Sequence, residues 1–150
     1  MNKLNHIAFI MDGNGRWGKK RNKSRKFGHL KGVDTVKKIV SSSIKFKIPI
    51  VTFYVFSTEN WKRPKSEISF LFKLINNYFN KEIESVISKG IKINIIGETK
   101  NLNKEIKKTL KRTMKLTKNN KTITVNLAIN YGSKNEILCA VKKIKKKINL

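Results

Sequence analysis

Acidic side chains are scarce in this chain: 9 Asp and Glu stand against 35 Lys and Arg, a formal charge of +26 over 150 residues. Three accounts of that imbalance compete: nucleic-acid binding, attraction to anionic lipid or phosphorylated substrates, and coding bias towards Lys, Ile and Asn. The basic residues are spread out, denser at Lys19–Lys26, Lys104–Lys118 and Lys142–Lys147. No zinc-finger, RRM or helix-turn-helix signature accompanies them, so coding bias with anionic partners is preferred and no specific nucleic acid is expected. Cysteine is nearly absent. Cys139 alone cannot form an internal disulfide, which supports a reducing compartment, and its place in an amphipathic helix predicts a buried structural thiol. Long apolar runs are missing too. None approaches membrane-spanning length, and Ile7–Met11 is too short for a signal-peptide core. A cytoplasmic protein is expected, with an anionic membrane surface as one peripheral contact. Linkers and internal repeats are also lacking, and 39% hydrophobic residues suffice for one domain with its own core.

What is present is concentrated at His6-Ile7-Ala8-Phe9-Ile10-Met11-Asp12-Gly13-Asn14-Gly15-Arg16-Trp17. The apolar run predicts a short strand buried on both faces, breaking into a Gly-rich loop. Glycines at 13 and 15 let backbone approach a ligand, backbone N–H groups can form an anion nest, and Arg16 adds a guanidinium fork. Asp12 beside a phosphate cradle makes sense with a divalent cation between the two anions. Taken alone, the loop is equally an ordinary turn.

Further along, Trp17 to Phe27 reads as a basic loop, followed by a helix from about His29 to Lys45 with Val33, Val36, Val40 and Ile44 on one face. Gly32 inside that helix implies close packing or ligand approach. Ile50–Phe56 is a strand that runs into Ser57, Thr58, Glu59, Asn60 and Trp61, with Arg63 and Pro64 beyond. Pro64 opens a helix over about 66–89 with two apolar stripes; the second, Phe70, Leu74 and Tyr78, reads first as core, and otherwise as a surface for a subunit or an apolar ligand. A strand at Ile91–Gly97, a helix from about Asn101 to Lys118, a strand at Thr122–Asn130 and a helix from Ser133 to about Ile148 complete the pattern. The last helix carries Ile137, Val141, Ile144 and Ile148 on one face. The order βαβαβαβα predicts a single α/β domain with a mainly parallel sheet flanked by helices. Asp12, Ser57–Asn60, Gly97-Glu98 and Asn130-Tyr131 would then gather at one sheet edge.

HIAFIMDGNGRWGKKR, Arg25 with FGH at 27–29, Gly32, FYVFSTENWKRP at 53–64 and NLAINYG at 126–132 together resemble the cis-prenyltransferase family, and in particular its bacterial undecaprenyl-type members. The resemblance covers essentially the whole chain. It implies Mg²⁺-dependent condensation of isopentenyl diphosphate onto an allylic diphosphate such as farnesyl diphosphate, by a homodimer. By the same resemblance Asp12 is the catalytic Mg²⁺ ligand. Gly13, Asn14, Gly15 and Arg16 hold the allylic diphosphate, with Arg25 and His29 adding phosphate contacts. Trp17 and Trp61 border the substrate, Ser57, Thr58 and Glu59 form the second-strand side, and Arg63 is a further contact. Asn60 matches a residue assigned as proton acceptor; a neutral amide is a poor base, so it more plausibly orients substrate while a diphosphate oxygen takes the proton.

The family pattern continues past NYG into an RTGG-type turn, an arginine, a serine and a glutamate that have no counterpart here. Residues 1–150 are therefore expected to be an N-terminal portion of the family domain. Arg16, Arg25 and Arg63 account for one diphosphate, and the second has no matched residues. The alternative expectation is a catalytically incomplete or non-catalytic subunit that binds an allylic diphosphate or a partner chain.

Overall fold

Four parallel strands and five helices organise the chain in the computed structural model, which describes residues 4–147; Ile148 lies outside them. The strands are β1 (His6–Ile10), β2 (Ile50–Ser57), β3 (Ile91–Ile96) and β4 (Ile123–Tyr131). They lie in the order β1-β2-β4-β3, with His6 beside Ile50, Val51 beside Val125 and Ile93 beside Val125 on the other flank. The helices are α1 (Asn14–Lys20), α2 (Arg25–Lys45), α3 (Lys65–Ser88), α4 (Lys104–Thr117) and α5 (Ser133–Lys147). The expected parallel α/β sheet is present, and every strand delivers its C-terminal end to the same edge.

Alternation along the strands decides the core. Val51, Phe53, Val125, Ile91 and Ile93 are buried against α2, α3 and α4, with Ile7, Phe9 and Leu71 packed around them. The opposite sheet face carries a polar row across its middle. His6, Thr52, Asn126 and Asn94, one from each strand, form a hydrogen-bonded row with spacings of 2.7, 3.0 and 3.1 Å. Here the expectation for β1 needs correcting: it is not buried on both faces. It is an edge strand with one neighbour, no described helix covers its polar side, and Ile10 is 79% exposed.

A second correction concerns residues 17–27, which are not a loop. Gly13, at φ 84°, turns the chain directly into α1, and Ser24 caps α2 by accepting from the Phe27 amide at 3.1 Å. Helix α2 therefore begins four residues before the expected His29. Glycines at 18, 28 and 32 serve as helix-packing positions, as the close-packing reading of Gly32 expected. A Cβ at Gly18 would lie 2.5 Å from Ser24 O, one at Gly28 would collide with the Asn14 carbonyl, and one at Gly32 would lie 2.8 Å from Asn14 Nδ2. Two helix backbones approach this closely only where side chains are missing.

Boundary differences elsewhere follow caps. Asn103 accepts from the Ile106 amide at 2.9 Å, which starts α4 at Lys104 rather than near Asn101. Cys139 is only half-buried, against expectation, because α5 does not pack into the core: Ile137, Leu138, Val141 and Ile144 are all exposed.

Candidate active site

The end of β1 supplies an ionised carboxylate. Asp12 Oδ1 accepts the Gly13 amide at 2.6 Å and Oδ2 accepts Arg16 Nη2 at 2.9 Å. The Gly13 amide first, and then the Arg16 guanidinium, hold this carboxyl below its usual range. Both partners are well exposed, at 66% for Asp12 and 70% for Arg16, so their ion pair adds little stability and is readily exchanged for another ligand. The first amide to close an α-helical bond is that of Trp17, on Gly13 O at 2.8 Å. The amides of Asn14, Gly15 and Arg16 are accordingly not used by the helix ladder.

The end of β2 is held by a register shift and a cap. The ladder to β4 slips between Tyr54 and Phe56, after which Phe56 and Ser57 are both buried. Residues Thr58–Lys62 form a 3-10 turn in which Asn60 Oδ1 accepts the Ser57 amide at 3.2 Å. Trp61 packs edge-on to Phe56 and donates its indole N–H to Asn130 Oδ1 at 2.7 Å. Asn130, at φ 51°, also donates to Glu98 O at 2.7 Å, so one buried amide joins the ends of β2, β3 and β4. The Tyr54 hydroxyl donates to Tyr131 O at 2.9 Å, and the Thr58 hydroxyl donates to Glu59 Oε1 at 3.2 Å.

Three of the expected phosphate-contact residues, Arg25, His29 and Arg63, converge on Glu67, which lies in the first turn of the helix that follows Pro64. Arg25 Nε and Nη2 reach its carboxylate at 3.0 and 3.2 Å, His29 Nε2 at 3.2 Å and Arg63 Nη1 at 3.3 Å. Burial pushes the Glu67 carboxyl up, but Arg25, His29 and Arg63 together hold it below its ordinary value. At His29 burial dominates and lowers the imidazole pKa, with Glu67 opposing. A Cβ at Gly15 would lie 3.0 Å from the Arg25 guanidinium, so α1 leaves room for that side chain as well.

Between α2, α3 and the sheet lies an apolar cavity of about 200 Å³. Met11, Asn14, His29 and Arg63 line it towards the strand-end edge; Val36, Leu74 and Tyr78 are among its walls. The second stripe of α3 is thus explained in part, since Leu74 and Tyr78 face this cavity. Phe70 lies under the Lys26 ammonium instead, 5.5 Å from its ring centre. Neither tryptophan lines the cavity. Trp17 stacks on Phe27 with Arg21 4.1 Å above its ring, and Trp61 is held by Asn130. Among the described residues, no group of three or more His, Cys, Asp and Glu side chains converges as a metal cluster.

A strand-end carboxylate, a clustered set of cations and an apolar cavity define a site suited to an amphiphile with an anionic head. Residues 10–150 match the family model described as "Putative undecaprenyl diphosphate synthase", and the chain belongs to that prenyltransferase family. Isoprenyl transferases of Helicobacter pylori and Clostridium tetani are 45% and 44% identical to it, each over 95% of this chain and over 61% and 56% of their own lengths. The chain thus spans about 60% of these curated relatives. Among solved structures, lavandulyl diphosphate synthase from Lavandula x intermedia, in complex with dimethylallyl diphosphate, superposes with a TM-score of 0.92 at 28% identity. That match covers 97% of this chain and 62% of the neighbour. A probable undecaprenyl diphosphate synthase from Campylobacter jejuni superposes at 0.79 with 32% identity, over 98% and 64%.

Proposed function

We propose that this chain carries out cis-prenyl chain elongation, condensing isopentenyl diphosphate onto an allylic diphosphate, farnesyl diphosphate first, towards a polyprenyl diphosphate of undecaprenyl type. The observation that carries this reading is the apolar cavity with His29, Arg63 and Asn14 at one end. A hydrocarbon tail enters the cavity and leaves its diphosphate at the strand-end edge. Arg25, His29 and Arg63 contact phosphate oxygens there, alongside Arg16 and the amides of Asn14 and Gly15, with Gly13 setting the turn that presents them. The cavity walls keep water from the allylic carbon as positive charge develops on it. Ser57, Thr58, Glu59, Trp17 and Trp61 border the substrates. Asn60 spends its carbonyl on the Ser57 amide, which leaves its N–H₂ as the group that can serve the reactants, as a donor. A donor orients substrate, and the proton leaves to a diphosphate oxygen.

The residues present fit Mg²⁺. This ion is held by one or two carboxylates with substrate phosphates and water, and Asp12 is ionised, exposed and weakly paired. Asp12 would hold the ion together with diphosphate oxygens, and the chemistry it would supply is neutralisation of the charge that builds on the leaving group.

A homodimer is part of the proposal, as is a cytoplasmic location with contact to an anionic membrane. No described helix is long and apolar enough to cross a membrane, and the net charge of +26 favours anionic surfaces. A second reading is favoured by the exposed apolar stripe on α5: the chain binds the allylic diphosphate but turns over only when a partner chain covers that stripe.

The test is incubation of the purified chain with farnesyl diphosphate, labelled isopentenyl diphosphate and Mg²⁺. Labelled polyprenyl product that disappears in Asp12→Ala is expected. A folded protein that binds farnesyl diphosphate without turnover would select the second reading.

A further inference from the structure

Glu67 does more than start a helix. Its side chain is only 12% exposed, yet it takes hydrogen bonds from two guanidiniums and an imidazole on two separate parts of the chain. Arg25 and His29 lie one turn apart at the start of α2, and Arg63 lies in the connection ahead of α3. The carboxylate is more deeply buried than the guanidiniums it holds. Arg25 remains 45% exposed and Arg63 30% exposed, and each guanidinium has five N–H donors. Arg25 commits two to Glu67 and Arg63 one, so most of their donors remain available to solvent.

Without the carboxylate, two guanidiniums and an imidazole would be crowded together with nothing to offset their repulsion. Long side chains in that position swing into water and sample many rotamers, and an incoming anion must then order each of them at a cost in entropy. With the carboxylate in place the ordering precedes binding. Gly15 supports the same geometry from the other side, since its missing side chain leaves the Arg25 guanidinium its place against α1.

We infer that Glu67 is a positioning residue for a diphosphate: it holds the Arg25 and Arg63 guanidiniums, with the His29 imidazole beside them, as one pre-formed cationic cradle and stays bound to them when the anion arrives. The inference rests on the diphosphate reading above and deepens it. Glu67 itself does not touch the substrate, and its negative charge is kept apart from the anion by the cations it holds. The opposite possibility has a different signature. A carboxylate that merely occupies the cradle until an anion displaces it would weaken binding, and its removal would tighten it.

Inorganic pyrophosphate separates these cases because it carries the head group without the tail. It is titrated calorimetrically into the wild type, Glu67→Gln and Glu67→Asp, with Mg²⁺ present. Glu67→Gln keeps the shape and removes the charge, and affinity is expected to fall about tenfold; Glu67→Asp keeps the charge and should recover part of the loss. A general loss of stability would not produce recovery by the aspartate. Equal or tighter binding by Glu67→Gln overturns the role given to Glu67 and leaves the diphosphate site standing. A folded wild type that binds no pyrophosphate overturns both.

Should the variants not fold, the wild type alone decides. The Arg25 Nε–H proton is followed by NMR hydrogen exchange with and without pyrophosphate. Protection that persists on binding supports the cradle. Protection lost on binding shows the carboxylate displaced, and overturns it.

Discussion

At the scale of single residues, His29 offers a proton-linked test of the site. Burial lowers its pKa below the ordinary 6.5; Glu67 pulls it back up, and Arg63 and Arg25 push it further down. The unfolded chain therefore takes up a proton on this residue at a higher pH than the folded chain does. Stability is complete above about pH 6.5 and declines as pH falls through the lowered folded value. Glu67 acts in a separate window, since a carboxyl held below its ordinary 4.5 loses its contribution only at more acid pH. Urea unfolding followed from about pH 7.5 to about 5 should show a decline that His29→Gln removes. A decline of the same size in the variant would assign it to another group. Arg25, His29 and Arg63 were legible in the sequence as cations within motifs, but the residue that joins them was not. Glu67 lies 42 and 38 positions from the first two, a distance that only the packing of α3 against α2 closes. Asn130 was hidden for a similar reason. It read as the polar end of a strand, whereas its left-handed backbone turns its amide onto both Trp61 and Glu98.

Among the elements, the crossing of α1 and α2 depends most on single residues. At Gly28 an added methyl meets the backbone of α1, which cannot rotate away as a side chain could. Gly28→Ala should destabilise the protein by about 1–3 kcal/mol, read as a lower urea midpoint with unchanged slope. An unchanged midpoint would mean that the two helices separate at no cost, contrary to the packing seen here. The same crossing shows where periodicity fails as a guide. The stripes of α3 and α4 run for several turns and were readable within about three residues at each end. Helix α1 has seven residues, two of them glycines after the first, and carries no apolar period to read. Its signal was the recurrence of glycine at 15, 18, 28 and 32, which marks close backbone approach as readily as it marks a turn.

For the molecule as a whole, the alternation of strands and helices was enough to give a parallel sheet, but not the order β1-β2-β4-β3, because alternation does not say beside which neighbour a strand inserts. Nor did it reveal that one face carries a polar row in place of a second layer of helices. The stripe of Ile137, Leu138, Val141 and Ile144 on α5 is a separate exposed apolar surface. If two copies associate through it, Val141→Glu should shift sedimentation towards the monomer without lowering the melting temperature. A dimer that persists in the variant would place the interface elsewhere. The strand order also bears on biosynthesis. β4 is made after β3 and inserts between β3 and β2, so the two halves of the sheet stay unjoined until it has been synthesised. At ribosomal rates of roughly 5–20 residues per second, β3 waits a few seconds beside open backbone edges. During that interval the nascent chain, rather than the finished protein, is the form most exposed to wrong pairing and most in need of chaperones.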